Sequence, residues 1–226
     1  MNIVEEAFQQ LYLQKDLGYD TSIKYSSKFK PYNSNVRLYN NRLEFNLSRK
    51  WKPVSREIQI GLIQSLLLKI LRNRLKPLKK TTQDIELYNI FIKKIHIAVP
   101  KTKSDPLLEE SFNRVNERYF YGLIEKPNLA WHNSISKLGS YEYGSDTISI
   151  SGIFKNANKE LLDYIMYHEM LHKKHKFKNK NGRNYHHTTD FRKKEKEFEN
   201  QKYTEEEIKK LIRRIRRKLI FNRVFI

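Results

Sequence analysis

Tyr167-His168-Glu169-Met170-Leu171-His172 is the stretch on which the reading of this chain turns. Written as a helix, it sets His168 and His172 four residues apart, one turn from each other on one face, with Glu169 beside the first. Two imidazoles at that spacing can hold one Zn2+ while the carboxylate reaches a metal-bound water as general base. The helix is read over Asn156 to His175, with Asn156 or Asn158 as its cap. Leu161, Leu162, Ile165, Met166 and Leu171 form a buried stripe beside the histidines.

Two histidines leave a catalytic zinc site one protein ligand short. His175 follows His172 by three residues, but three ligands strung along one straight helix span about 10 Å and cannot converge on one ion. The third ligand must therefore come from another element: His186, His187, Asp190, Glu195, Glu197 and Glu199 are the candidates. Phe191 and Phe198, seven apart, mark the buried side of a helix expected over His187 to Phe198. His187 lies four before Phe191 and shares its face, whereas His186 is turned away by about 100°. His187 is the expected ligand, with His186 in reserve. His96 and His132 lack a partner at ligand spacing and read as ordinary histidines.

Composition narrows the function classes. The chain of 226 residues is long enough to bury a sizeable core, as one large domain or two small ones. It contains no cysteine, which removes disulfides, thiolate zinc sites and a zinc ribbon, and fits a reducing compartment. Glu5 and Glu6 stand where a signal peptide would be basic and then apolar, and no apolar run reaches membrane-spanning length, so a cytoplasmic protein is expected. The net charge of +20, from 45 Lys and Arg against 25 Asp and Glu, favours polyanionic partners, phosphate backbones first among them.

Along the chain, a short helix is expected over Val4 to Leu13, strands over Thr21–Ser26, Asn35–Tyr39 and around Leu43-Phe45-Leu47, and a long helix from Ser55 to about Leu75. A further helix spans about Asp84 to Ile95. Pro100 to Pro106 is the linker, and a helix over Leu107 to Tyr121 opens the second half. Strands at Leu129–Trp131 and Thr147–Ser151 flank the turn-rich Leu138 to Gly144, and Phe177 to Tyr185 reads as a basic loop. A last helix runs from Thr204 to about Leu219. Three regions follow: an N-terminal α/β region over 1–100, a metal-binding domain over 101–203, and a basic amphipathic helix over 204–226. A shift of 103 residues lays Ser48 over Ser151, Glu57 over Glu160, and Leu62 and Ile63 over Ile165 and Met166. Ser65, Leu66 and Lys69 then fall at the places of His168, Glu169 and His172. The first half reads as a degenerate copy without the metal site.

The order Trp131, Leu138-Gly139-Ser140, Thr147-Ile-Ser-Ile-Ser151, His168-Glu-Met-Leu-His172 and His187-Thr-Thr-Asp-Phe191 resembles the SprT-like metalloprotease domain, over residues 107 to 200. The resemblance implies an α+β, zincin-like fold: a small sheet packed on the H-E-x-x-H helix, with further helices. It implies a hydrolase with Zn2+ held by His168, His172 and His187, and with Glu169 as catalytic base. The family includes DNA-dependent proteases of the Spartan type, which act in DNA repair on proteins crosslinked to DNA. Many members carry a cysteine zinc ribbon that this chain lacks, so any DNA engagement must be supplied otherwise.

The expected substitute is the C-terminal helix. Ile208, Leu211, Ile212, Ile215 and Leu219 form its apolar face, and Lys209, Lys210, Arg213, Arg214, Arg216 and Arg217 line the rest, toward phosphates. The basic loop Lys173 to Arg183 borders the metal site. Together these features predict a zinc-dependent peptidase acting on protein substrates, some of them DNA-associated. The alternatives are a nucleic-acid-binding protein with a closed structural zinc site and a zinc hydrolase of a non-peptide bond. Tyr185 and Tyr167 are the candidate oxyanion donors.

Overall fold

Two helices collect the apolar sequence, and each organises its own unit. The structure, a computed structural model, describes residues 2–13, 15–176, 178–180 and 183–224. It divides into one compact unit of Met1–Val99, Tyr143–Ser145 and Phe177–Tyr185, and a second of Pro100–Glu142, Asp146–Lys176 and His186–Ile226. The class is α+β. Among the described residues no helix is long and apolar enough to cross a membrane.

In the first unit, α1 (Ile3–Tyr12) starts at Asn2, whose side chain accepts from the backbone N–H groups of Val4 and Glu5, while Glu5 reaches back in a capping box. Strands β1 (Asp20–Ser26), β2 (Ser34–Tyr39) and β3 (Arg42–Ser48) form a sheet of order β1-β3-β2, with β1 parallel and β2 antiparallel to β3. A 3-10 turn at Arg49–Trp51 leads to α2 (Arg56–Ile70), buried without a break from Ile60 to Leu68. Such a helix is buried all round because it lies at the centre of its core, with Gln64 hydrogen-bonded to Gln10 and Thr82. That core is made by Phe8, Leu11, Phe45, Leu47, Trp51, Leu62 and Ile63. α3 (Gln83–Lys94) packs across α2 at Gly61, where a Cβ would run into the Asp84 carbonyl.

In the second unit, α4 (Pro106–Phe120) starts at Asp105, which caps Leu107 and Leu108. Strands β4 (Asn128–His132), β5 (Gly139–Glu142) and β6 (Thr147–Ser151) form a sheet of order β4-β6-β5, with β4 parallel and β5 antiparallel to β6. A 3-10 turn at Gly152–Phe154 leads to α5 (Lys159–His175). Of the two caps considered for α5, Asn158 is the one used, accepting from Glu160 N–H. Glu160 in the first turn and Lys173, Lys174 and His175 in the last complement the helix dipole. The core around α5 holds Phe112, Phe120, Ile148, Ile150, Phe154, Met166, Tyr167, Met170 and Phe191.

The two units run through the same elements in the same order: helix, three strands with the third central, 3-10 turn, helix. Asn2 and Asp105, Ser48 and Ser151, and Ser55 and Asn158 hold equivalent N-terminal positions at the register of Ser48 on Ser151. Trp51 and Phe154 are both fully buried at that register. Two positions at that register differ in kind. Leu43 and Ile70 are apolar, whereas the second unit has Asp146 and Lys173 at those places. Lys173 Nζ donates to both Asp146 carboxylate oxygens at 2.6 and 2.8 Å, Tyr141 Oη donates at 2.6 Å, and Lys101 completes the cluster.

Several sequence expectations need correction. α2 stops at Ile70 rather than Leu75, because the chain turns at Leu71, whose N–H closes on the Leu67 carbonyl. The turn-rich Leu138 to Gly144 contains β5, a strand obscured by its glycine and serine. The basic loop of 177–185 includes a hairpin of β7 (Lys178–Lys180) and β8 (Arg183–Tyr185), with Phe177, Asn181 and Gly182 outside the described residues. The helix expected over His187 to Phe198 is the shorter α6 (Thr189–Glu195). The last helix, α7 (Gln201–Val224), begins before Thr204, whose hydroxyl donates to the Asn200 carbonyl inside the helix.

Candidate metal centre

α5 brings His168 and His172 to one face, and the chain ahead of α6 brings His187 against them. His187 does not belong to the helix. It lies just before the cap residue Thr188, whose side chain accepts from Phe191 N–H, so this cap rather than helical phase places it. The buried Phe191 ring seats all three imidazoles, with centroid distances of 4.6 Å to His172, 4.9 Å to His187 and 5.2 Å to His168. His168 Nε2 lies 3.2 Å from His172 Nε2 and 3.3 Å from His187 Nε2.

Three ligand atoms of this set lie within 4.8 Å of one another, the spacing of a group that can hold a metal ion. For Zn–N bonds of 2.0–2.1 Å, a tetrahedral site places its nitrogens about 3.4 Å apart. The donor set therefore fits a zinc ion. Among the described residues no other group of three such side chains converges in this way. His186, the reserve candidate, is near His172 at 5.9 Å between rings but outside the group.

Glu195, counted among the possible ligands, does something else. Its Oε1 lies 2.6 Å from His168 Nδ1. A carboxylate acceptor there requires the proton on Nδ1, which leaves the Nε2 lone pair facing the other two histidines. Burial disfavours the charged form of His168, yet the Glu195 hydrogen bond, with Glu169 adding, raises its pKa above the usual value. Burial and then the neighbouring histidines push His172 down to about 3. Burial, followed by His168, also lowers His187. Neutral imidazoles are the form that binds metal.

Glu169 is 4% exposed. Burial pushes its carboxyl up to about 7, with His168, Lys137 and a hydrogen bond from the Tyr141 backbone N–H acting the other way. Its Oε2 has no hydrogen-bond partner among the described residues. The carboxylate lies flat against β5 at Gly139, where a Cβ would come within 2.5 Å of Oε1. A side chain at this position would force the acid to shift from the place it holds. Nothing local in the sequence marks this contact, because it depends on the pairing of β5 with β6.

Other sequence candidates are placed as follows. Tyr167 is buried and donates its hydroxyl to the Lys194 carbonyl, so it is committed to holding α6 and is not an oxyanion donor. Tyr185 is half-exposed at the end of β8. His132 Nδ1 accepts from Ser134 N–H in a local turn. On α7, Ile208 is buried, Leu211 and Ile212 pack beside it, and the Leu219 side chain lies outside the described residues. Arg213, Arg214, Arg216 and Arg217 are exposed, whereas Lys209 and Lys210 are tied to Glu206 and Glu207 one turn earlier.

Residues 108–210 match the SprT-like family. No curated protein shows significant similarity to the chain. Solved structures resembling it include the metallopeptidase zymogen of Pyrococcus abyssi abylysin, at 17% identity and TM-score 0.36, covering 45% of this chain and 90% of that one. Another is the metallopeptidase zymogen of Methanocaldococcus jannaschii jannalysin, at 23% identity and TM-score 0.36, covering 50% of this chain and 99% of that one.

Proposed function

We propose that the SprT-like domain of residues 108–210 is a zinc-dependent peptidase in which His168, His172 and His187 hold the metal and Glu169 is the general base. The observation that carries this reading is the approach of His172 Nε2 and His187 Nε2 to within 3.3 Å of His168 Nε2, beside a buried carboxylate with an unpartnered oxygen. Zinc held by these residues would supply a Lewis acid that polarises a carbonyl and acidifies water. The chain does the rest. Glu195 fixes the His168 tautomer. The lowered pKa values of His172 and His187 keep their nitrogens free of protons near neutral pH. Glu169, poised at about 7, takes a proton from water through Oε2 and hands it to the leaving amine. The Tyr141 N–H steadies the carboxylate meanwhile.

The substrates we infer are proteins held near nucleic acid. The charge of +20 and the four exposed arginines of α7 support this reading. The N-terminal unit, which has the same element order with Ser65, Leu66 and Lys69 at the ligand and base positions, we read as a non-catalytic copy.

The test is hydrolysis of a protein substrate by the full chain, with and without DNA and with and without chelator, compared with Glu169→Gln. Activity that needs metal and disappears in a Glu169→Gln protein of unchanged metal content supports the reading. Equal metal binding by both proteins, with no peptide bond cleaved under any condition, overturns it.

A further inference from the structure

The α2 end of the first unit has no metal ligands, and the chain that follows is strongly basic. Lys69, at the register of His172, is followed by Arg72, Arg74, Lys76, Lys79 and Lys80, with no acidic residue from 69 to 80. All six side chains are exposed. The backbone beneath them is held in place. Leu71 is fully buried, Leu75 packs against the core, and the N–H groups of Arg74 and Leu75 close on the Leu71 carbonyl. Leu78 N–H donates to the Leu11 carbonyl of α1 at 2.8 Å.

Among the described residues none of these six cations is in an ion pair, and the guanidinium contacts are with neutral groups: Arg72 Nε donates to Asn73 Oδ1 and Arg74 Nη1 to Tyr19 Oη, each at 3.4 Å. The other basic stretches are partly spent on internal partners. Lys173 neutralises Asp146, and Lys209 and Lys210 neutralise Glu206 and Glu207. Unpaired cations on a fixed path keep their charge for an external anion and lose little side-chain freedom beyond their own rotamers on binding. The run is irregular rather than helical from Leu75 to Lys80, and Leu78 is its one largely exposed apolar residue, so it offers no apolar face for a membrane surface.

We propose that residues 69–80 of the first unit form a nucleic-acid backbone site, and that this unit contributes phosphate binding where the second contributes chemistry. The site goes beyond the peptidase reading and stands or falls separately, because its readout is binding rather than cleavage.

The experiment measures affinity of the full chain for a random-sequence DNA duplex as a function of salt, by fluorescence anisotropy. Each phosphate contact contributes about 0.9 to the slope of log affinity against log salt. The variant R72Q/R74Q/K76Q/K79Q is expected to lower that slope by about 3.6 and affinity at low salt by about 100-fold or more. R213Q/R214Q/R216Q/R217Q removes the exposed arginines of α7, and the loss on changing residues 72–79 is expected in that background as well as in the wild-type one. The charge-retaining R72K/R74K variant, with wild-type circular dichroism, is expected to bind like wild type. Wild-type affinity and slope in the R72Q/R74Q/K76Q/K79Q protein would overturn the proposal. So would tighter binding to vesicles of phosphatidylserine and phosphatidylcholine than to DNA, lost with the same four substitutions.

Discussion

Asp146→Asn tests the ion cluster under the metal helix. Asp146 has no exposed surface, and Lys173, 7% exposed, places its ammonium against both carboxylate oxygens. Burial alone would raise the Asp146 pKa, and Lys101, Lys173 and Tyr141 together reverse that to bring it below the ordinary carboxylate range. Asparagine keeps the shape, the hydrogen bond to Tyr141 and tolerance of the positive φ of 40° at this position, so the change removes charge and little else. Two ammoniums lose their counter-charge, the buried Lys173 and the more exposed Lys101, and stranding a buried charge costs about 3–5 kcal/mol. For a unit of this size that is about 10–20 °C in Tm.

Lys173→Met removes the more buried of the two stranded charges. A methionine fills the space of the lysine stem without its charge. The Asp146→Asn/Lys173→Met double variant is therefore expected to recover about 2 kcal/mol or more of the loss, as a non-additive coupling. Urea unfolding followed on Trp131, in a Trp51→Phe background that silences the first unit's tryptophan, reads the second unit alone. Additive single effects, or an Asp146→Asn cost below about 1 kcal/mol, would refute the argument that the pair is coupled and buried.

Other predictions concern the centre itself. Glu195→Ala is expected to weaken zinc binding by about 10–100-fold in competition with a chromophoric chelator, because His168 loses the acceptor that fixes its tautomer; unchanged affinity would remove Glu195 from that role. Gly139→Ala drives a methyl group against Glu169, so hydrolysis should collapse while metal content stays at the wild-type level. A folded Gly139→Ala protein with full activity would show that the base sits elsewhere in the working enzyme. Glu169 also has a pH signature. Its folded pKa, about 7, is above the unfolded value, so its charge is disfavoured by the fold, and stability present below about pH 4.5 is lost as pH rises toward 7. In chelator-treated protein, Glu169→Gln should gain about 3 kcal/mol on wild type between pH 5 and pH 8. A pH-independent difference between the two proteins would contradict the buried setting of the acid.

The parts of the fold legible in the sequence were those with local signatures. α5 announces itself by its cap, its apolar stripe and its charged end, and the histidine spacing follows from helix geometry alone. The register of Ser48 on Ser151 was visible because a strand ending in serine, a short turn and a long helix follow one another at the same offset in the two halves. β5 was not visible: its pairing with β6 stabilises a Gly-Ser-Tyr-Glu strand that has no alternation of its own. His187 was reached by an argument from helical phase, while its position is set by the Thr188 cap and the Phe191 ring. Glu195, Asp146 and Lys173 look like surface charges in a chain so rich in them, and only tertiary contacts show that each is paired. The basic run after α2 was in plain view, but its lack of acidic partners is a property of the folded unit.

The division of the centre between α5 and the residue ahead of α6 has a consequence for how it assembles. α5 alone presents two histidines. The third comes into place only when Phe191 seats on the helix and the Thr188 cap closes. On the proposed reading the ion is a clasp between consecutive segments, loaded after the last of them docks rather than during synthesis of the first. Stripping it should leave α5 protected and speed amide exchange in 186–195. That segment would then report occupancy of the centre without any substrate.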